Sequence, residues 1–272
     1  MAALPHEVGE RMLERTELVK LIDGPILDAG CATGLLARKL ARRYPRVPLI
    51  ALDPAREMIA LGRTALPVVQ RVLASLSGIA PRWVCGDVAD LPIRSRSLAL
   101  IWSNLMLQGL PEPAAAFREW HRTLKPGGLL MFSTLGPDSL KELRNAFAAA
   151  DRRHHVQPFV DMHDLGDQLM AVGFADPVMD METISLTYAS ARALLHELHD
   201  LGSVNGDSER NRGLTGKRAW TRMINALESD MRECRIGLTF EIVYGHAWKT
   251  EQEPSHPADG SRIVQLHRKP RR

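Results

Sequence analysis

The chain has 272 residues, enough for one large α/β domain or a domain carrying a sizeable insertion. Hydrophobic residues make up 45% and charged residues 25%, an ordinary globular balance, and a formal charge of +3 is too small to imply a nucleic-acid partner. No apolar run approaches the roughly 18 residues that span a bilayer. The N-terminus lacks the apolar core of a signal peptide, and Cys31, Cys85 and Cys234 form no CxxC pair. We therefore expect no disulfide framework, no metal site, no membrane partner and a reducing, cytoplasmic setting.

The opening segment predicts an amphipathic helix. Leu4, Val8 and Met12 recur at i, i+4 and i+8, Leu18, Leu21 and Ile22 extend the apolar face, and Gly24-Pro25 stops it. Strands and helices then alternate: strand 25–29, helix 33–44 closed by Pro45, strand 47–52, and a helix opened by Pro54 towards residue 66. Strands 82–85 and 98–102 follow, then helix 113–124, ended by Pro126-Gly127-Gly128, and strand 129–134. Such alternation specifies a Rossmann-like, doubly wound α/β fold with a mostly parallel sheet. Beyond residue 135 we expect helix 138–150, a loop rich in His, Arg and Asp to about residue 161, and helix 164–172. Strand 178–187, helix 189–201, a polar loop over 202–216, helix 217–232 and a final strand 239–248 complete the pattern. Residues 1–248 read as one domain, in which 151–232 includes a helical insertion on the substrate side, and 249–272 read as a flexible basic tail.

The chemistry begins at Leu27-Asp28-Ala29-Gly30-Cys31-Ala32-Thr33-Gly34, where a strand passes through a glycine-rich turn into a helix. Gly30 and Gly34 lack a β-carbon, so a ligand can approach the backbone, and the helix start offers free N–H groups. Dinucleotide-binding folds use a similar turn. Two acids narrow the choice. Asp53 stands at the end of the second strand, about 20 residues past the loop, where a carboxylate accepts hydrogen bonds from a ribose diol. Asp87, in Gly86-Asp87-Val88 after the third strand, can face an adenine amino group; loop capping is the alternative role for both. Asp28 lies where a pyrophosphate would be repelled, and a ligand with a cationic sulfonium and an ammonium group suits it better.

This set resembles the class I S-adenosylmethionine-dependent methyltransferases, with Ala32 standing where glycine is usual. The resemblance implies a cofactor site of Asp28, Gly30, Cys31, Ala32, Gly34, Asp53, Asp87, Val88, Ser103 and Asn104. Cys31 reads as a packing residue rather than a nucleophile. Further motifs at residues 103–108 (SNLMLQ), 124–130 (LKPGGLL), 132–144 (FSTLGPDSLKELR), 155–167 (HVQPFVDMHDLGD), 213–218 (GLTGKR) and 241–248 (EIVYGHAW) are more specific. Together they resemble the malonyl-acyl-carrier-protein O-methyltransferases of biotin biosynthesis, from about Val8 to Trp248. That family implies a seven-stranded sheet with a helical lid, and methyl esterification of the free carboxylate of a malonyl thioester, on acyl-carrier protein or on coenzyme A.

A malonyl carboxylate is ionised at neutral pH, so no general base is required, and positioning with exclusion of water carries the catalysis. Arg144 is the candidate cation for the carboxylate, with His155, Phe159 and His163 on the covering segment. Trp102, Asn104 and Gln108 lie at the substrate side of the fourth strand. Lys217, Arg218 and Arg222 are candidates to meet an acidic carrier protein. A monomer is the default expectation. Two other readings stay open: a methyltransferase for another small molecule, and a cofactor-binding assembly factor or hydroxylase, since a family of respiratory-complex assembly factors resembles the region after residue 150. Family members usually begin with a segment containing a Tyr-Asp pair, and no tyrosine precedes Tyr44 here. The expectation is either a start further upstream or a shortened lid.

Overall fold

Apolar side chains along the central strands point alternately to two faces, and that period of two organises the molecule. In β5 (Leu124–Leu135), Leu129 and Met131 enter one core while Leu130 and Phe132 enter the other. The computed structural model describes residues 3–151, 153–200, 213, 215–229, 231 and 233–251.

Its sheet contains β1 (Ile26–Ala29), β2 (Leu49–Asp53), β3 (Arg82–Cys85), β4 (Leu98–Asn104), β5, β6 (Phe174–Tyr188) and β7 (Ile236–Lys249), in the order β3-β2-β1-β4-β5-β7-β6. The pairings from β3 to β5 are parallel, whereas β7 runs antiparallel to β5 and β6 antiparallel to β7. This is the expected Rossmann-like architecture. One face packs against α1 (Ala3–Arg15), α2 (Leu35–Arg43), α6 (Lys141–Ala150), α8 (Ala191–Asp200) and α9 (Lys217–Ser229). The other packs against α5 (Pro113–Thr123) and α7 (Met162–Val172). Strand order reverses between β1 and β4, so the crevice beyond their carboxyl ends is the natural ligand site of such a sheet.

Several local expectations change. The first helix ends at Arg15 and tightens into a 3₁₀ turn over Thr16–Leu18, because the Thr16 hydroxyl donates back to the Leu13 carbonyl at 2.6 Å. Helix α3 (Arg56–Thr64) starts two residues after Pro54, since Asp53 Oδ1 accepts the Ala55 N–H and holds an extended residue before the helix. A helix not assigned from the sequence, α4 (Val68–Leu76), lies between α3 and β3; its apolar residues recur at helical spacing (Val68, Val72 and Leu76, with Val69 and Leu73), yet none of them is buried. The span 151–232 contains edge strand β6 as well as α7, α8 and α9. The expected 202–216 loop and basic tail fall largely outside the described residues. Among the described residues no single helix is long and apolar enough to cross a membrane.

Candidate functional site

Short parallel strands end together at the switch point, so the turns that follow them converge. The Gly30 and Cys31 N–H groups both donate to the Leu52 carbonyl at 2.9 Å, clamping the glycine loop to the end of β2. Asp53 completes the clamp: its Oδ2 accepts the Ala32 N–H at 2.8 Å and its Oδ1 accepts the Ala55 N–H at 2.9 Å. Each oxygen has a second lone pair left for a ligand hydroxyl. Asp28 is buried on β1 between Ala51 and Trp102, and its Oδ2 has no hydrogen-bond partner. Burial, reinforced by the charge of Asp53, pushes its carboxyl up to about 7.

The loop glycines also make room for side chains of the protein itself. Gly30 has φ +83°, and a β-carbon there would stand 2.4 Å from Met106 Cγ. Gly34 has φ +69°, and a β-carbon would stand 2.2 Å from the Trp83 ring. The missing side chain of Gly34 thus makes room for an indole from β3. Ala32 takes φ +47°, a left-handed conformation that costs a non-glycine residue about 1 kcal/mol. The Cys31 side chain is buried, and burial together with Asp28 raises its thiol far from the reactive range, consistent with packing.

On the third strand's turn, Val88 is buried and its carbonyl accepts the Trp120 indole N–H at 3.1 Å, while Asp87 is exposed and caps its own turn through the Ala89 N–H. At the end of β4, Ser103 is fully buried with an unpartnered hydroxyl. Asn104 joins three elements: its amide donates to the Pro5 carbonyl of α1 at 2.9 Å, and its Oδ1 accepts the Ser133 hydroxyl of β5 at 2.9 Å. The first helix is thereby pinned over the crevice.

A second wall is assembled from residues that are distant in sequence. Arg144, His155 and Phe159 line one cavity of about 540 Å³, together with Phe147, Asp151 and Pro158. The Arg144 guanidinium spends one nitrogen on the Pro137 and Ser139 carbonyls, at 3.2 and 3.1 Å, which fixes its direction. Its other N–H groups have no partner among the described residues. His155 lies parallel to Phe147, with ring centroids 4.1 Å apart, and pairs with Asp151 at 2.9 Å. A hydrogen bond from the Arg153 N–H, followed by the His155 contact, holds the Asp151 carboxyl below its usual range. An adjoining hollow of about 240 Å³ shares Pro158 and Phe159 and adds Gln108 and Thr134. There the Gln108 carbonyl accepts Gln157 Nε2 at 2.6 Å and its side chain meets Thr134 at 3.3 Å, tying the β4 turn to the covering loop.

Not every candidate is gathered in. His163 is exposed at the start of α7, its ring and backbone N–H both engaged with Asp161, the N-cap residue. Lys217 and Arg218 are exposed at the start of α9 and line neither cavity. Arg222 donates to the Ala150 carbonyl at 2.5 Å and so secures α9 to α6. Sequence reading passed over Met106, Trp83, Phe147 and Asp151. The last two carry a weak signal, since Phe147 is three residues from Arg144 and Asp151 four from His155.

A family model described as a methyltransferase domain matches residues 27–132. The chain is 45% identical over 263 residues to a protein of Gallionella capsiferriformans named malonyl-[acyl-carrier protein] O-methyltransferase, covering 97% of this chain and 89% of that one. It is 44% identical to a protein of the same name from Laribacter hongkongensis, covering 98% and 90%. Among solved structures, the YcgJ protein of Bacillus subtilis superimposes with a TM-score of 0.62 at 16% identity, over 91% of this chain and all of the other, a likeness of fold. On the extent and level of these sequence matches, the chain belongs to the malonyl-[acyl-carrier protein] O-methyltransferase family.

Proposed function

We propose that this protein uses S-adenosylmethionine to methylate the free carboxylate of a malonyl thioester carried on acyl-carrier protein, an early step towards the pimeloyl group of biotin. Residues 1–248 act as one methyltransferase domain working in the cytoplasm. The observation that supports the acceptor most directly is the cavity that brings Arg144 together with His155 and Phe159.

The donor set fits the cofactor. The unpartnered Asp28 carboxylate suits a cationic group, Asp53 keeps lone pairs for a ribose diol, and the buried Ser103 hydroxyl awaits a partner. Asp28, the 30–34 turn, Asp53, Asp87, Val88, Ser103 and Asn104 would hold it. When bound, S-adenosylmethionine supplies an electrophilic methyl group on a sulfonium centre. The protein has no proton to remove from an ionised carboxylate, and its task is alignment in a dry cleft. Arg144, which lines the cavity, pairs with the carboxylate through the guanidinium N–H groups that Pro137 and Ser139 leave over. Phe147, Phe159 and Pro158 exclude water, and His155, held by Asp151 and stacked on Phe147, gives the wall a fixed polar edge. Gln108 links this wall to the β4 turn through the bond its carbonyl accepts from Gln157.

Purified protein incubated with methyl-labelled cofactor and malonyl-acyl-carrier protein should yield a base-labile methyl ester. Tight cofactor binding without transfer to any malonyl thioester would overturn the reading and favour a non-enzymatic, cofactor-binding role.

A further inference from the structure

Helix α4 buries none of its residues, although its sequence is largely apolar. Val69, Leu73 and Leu76 are exposed on it, as are Met58 and Leu61 on α3. The two helices meet at 91° and, with α2 and the start of β3, border an open hollow of about 880 Å³. Leu66, Leu73, Ile79 and Trp83 contribute apolar lining, and Arg38, Arg42, Arg63 and Arg71 line it without any carboxylate. The sequence contains no acid between Glu57 and Asp87. Neighbouring Lys39 and Arg43 are paired with Glu10 and Glu17, but none of the four arginines forms an ion pair among the described residues. Burial and the nearby Arg42 charge pull the Arg38 guanidinium below its ordinary value.

Four like charges around an apolar hollow repel one another until an anionic partner covers them. We propose that this α3–α4 arm is the docking surface for the acidic carrier protein that presents the thioester. The proposal rests on the acceptor reading above. An acidic amphipathic helix fits best: its carboxylates meet the arginines and its apolar side chains enter the hollow. A concavity receives a helix better than it receives a bilayer surface. The hollow also adjoins the cofactor loop, since the Trp83 ring that lines it stands against Gly34, and Arg38 donates to the Thr33 carbonyl at 3.0 Å. Helix α9 is the competing surface, with Lys217, Arg218 and Trp220 exposed.

The test uses full-length protein saturated with S-adenosylhomocysteine and measures binding of labelled malonyl-acyl-carrier protein by fluorescence anisotropy. The double variant R63E/R71E should bind about tenfold more weakly than wild type, with the wild-type affinity falling as salt rises. K217E/R218E should remain within about twofold. Affinity for S-adenosylhomocysteine should be unchanged in R63E/R71E, which also reports that the fold is intact; should that variant fail to fold, R63Q/R71Q gives the same reading with a smaller loss. Loss confined to K217E/R218E would overturn the proposal. So would wild-type binding to anionic phosphatidylglycerol vesicles that R63E/R71E abolishes while carrier binding survives. If wild-type protein methylates no malonyl-carrier protein, the acceptor reading fails; if it does and R63E/R71E does so equally well, only the docking surface fails.

Discussion

The two walls of the crevice are built from different material. The proposed cofactor side is made of strand ends and the turns directly after them. Its key contacts are backbone N–H groups of Gly30, Cys31 and Ala32 tied to Leu52 and Asp53. The proposed acceptor side is made of side chains from the β4 turn, α6 and the segment carrying His155 and Phe159, with Gln108, Arg144, His155 and Phe159 as much as 51 residues apart. The first wall follows from the geometry of parallel strands and is common to many ligands of this fold class. The second exists only where separate segments pack together, and it is the wall that can select an acceptor.

The largest expected effect concerns the cofactor side and its cost to the unliganded protein. With the Asp28 carboxyl raised from 3.8 to about 7 in the fold, the folded state keeps a proton that the unfolded chain releases over that interval. The contribution of Asp28 to the stability of the unliganded protein should therefore fall as pH rises from about 4 to 7, by as much as about 4 kcal/mol, and level off above 7, against the opposite contributions of Asp151, Asp161, His121 and His246. Asp28→Asn should abolish that slope in urea unfolding at a series of pH values. It should also weaken binding of the cationic cofactor, whose wild-type affinity should rise with pH through the same interval. A wild-type slope retained in the variant would place the titration elsewhere.

Next, Asp53→Ala should reduce cofactor affinity about 100-fold by calorimetry, because it removes the diol acceptor and frees the Ala32 and Ala55 N–H groups together. The comparison between walls would break if this variant changed acceptor KM instead. On the acceptor side, Arg144→Ala should lower kcat/KM for the malonyl thioester about 30-fold while cofactor affinity stays within about twofold, with Arg144→Lys recovering part of the loss. Equal loss of both affinities would show that Arg144 merely supports the fold through Pro137 and Ser139. The smallest effect is a gain: Ala32→Gly relieves the φ +47° strain and should raise thermal stability by about 1 kcal/mol. An unchanged melting temperature would mean that the turn carries no such strain.

Much of the turn that forms the proposed cofactor side was legible because it is local. Acids at Asp28 and Asp53, each at a strand end, and the intervening glycines occupy one turn and its immediate neighbour, and strand alternation announces where such turns meet. What stayed hidden were contacts made across the turn. Nothing in the sequence marks Trp83 as the partner of Gly34, or Met106 as the partner of Gly30, since both approaches depend on how β3 and the β4 turn lie over the loop. Arg144, His155 and Phe159 could be nominated from motifs, but their convergence could not be read, and His163 turned out to be held in a helix cap. Helix α4 was legible in its apolar spacing (Val68, Val72, Leu76) but was passed over; what the sequence could not show is that this face stays exposed.

By itself, then, the sequence determined the alternating strands and helices, the glycine turn and the acids at its edge, since each depends on residues within a few positions of one another. The family motifs pointed to the acceptor. Only the tertiary structure decided which side of the Gly34 turn is closed by Trp83, which arginines around the α3–α4 hollow form no ion pair among the described residues, and which candidates line one cavity together. Those outcomes depend on long-range packing and on which charges find a partner, and neither quantity is stored in local spacing.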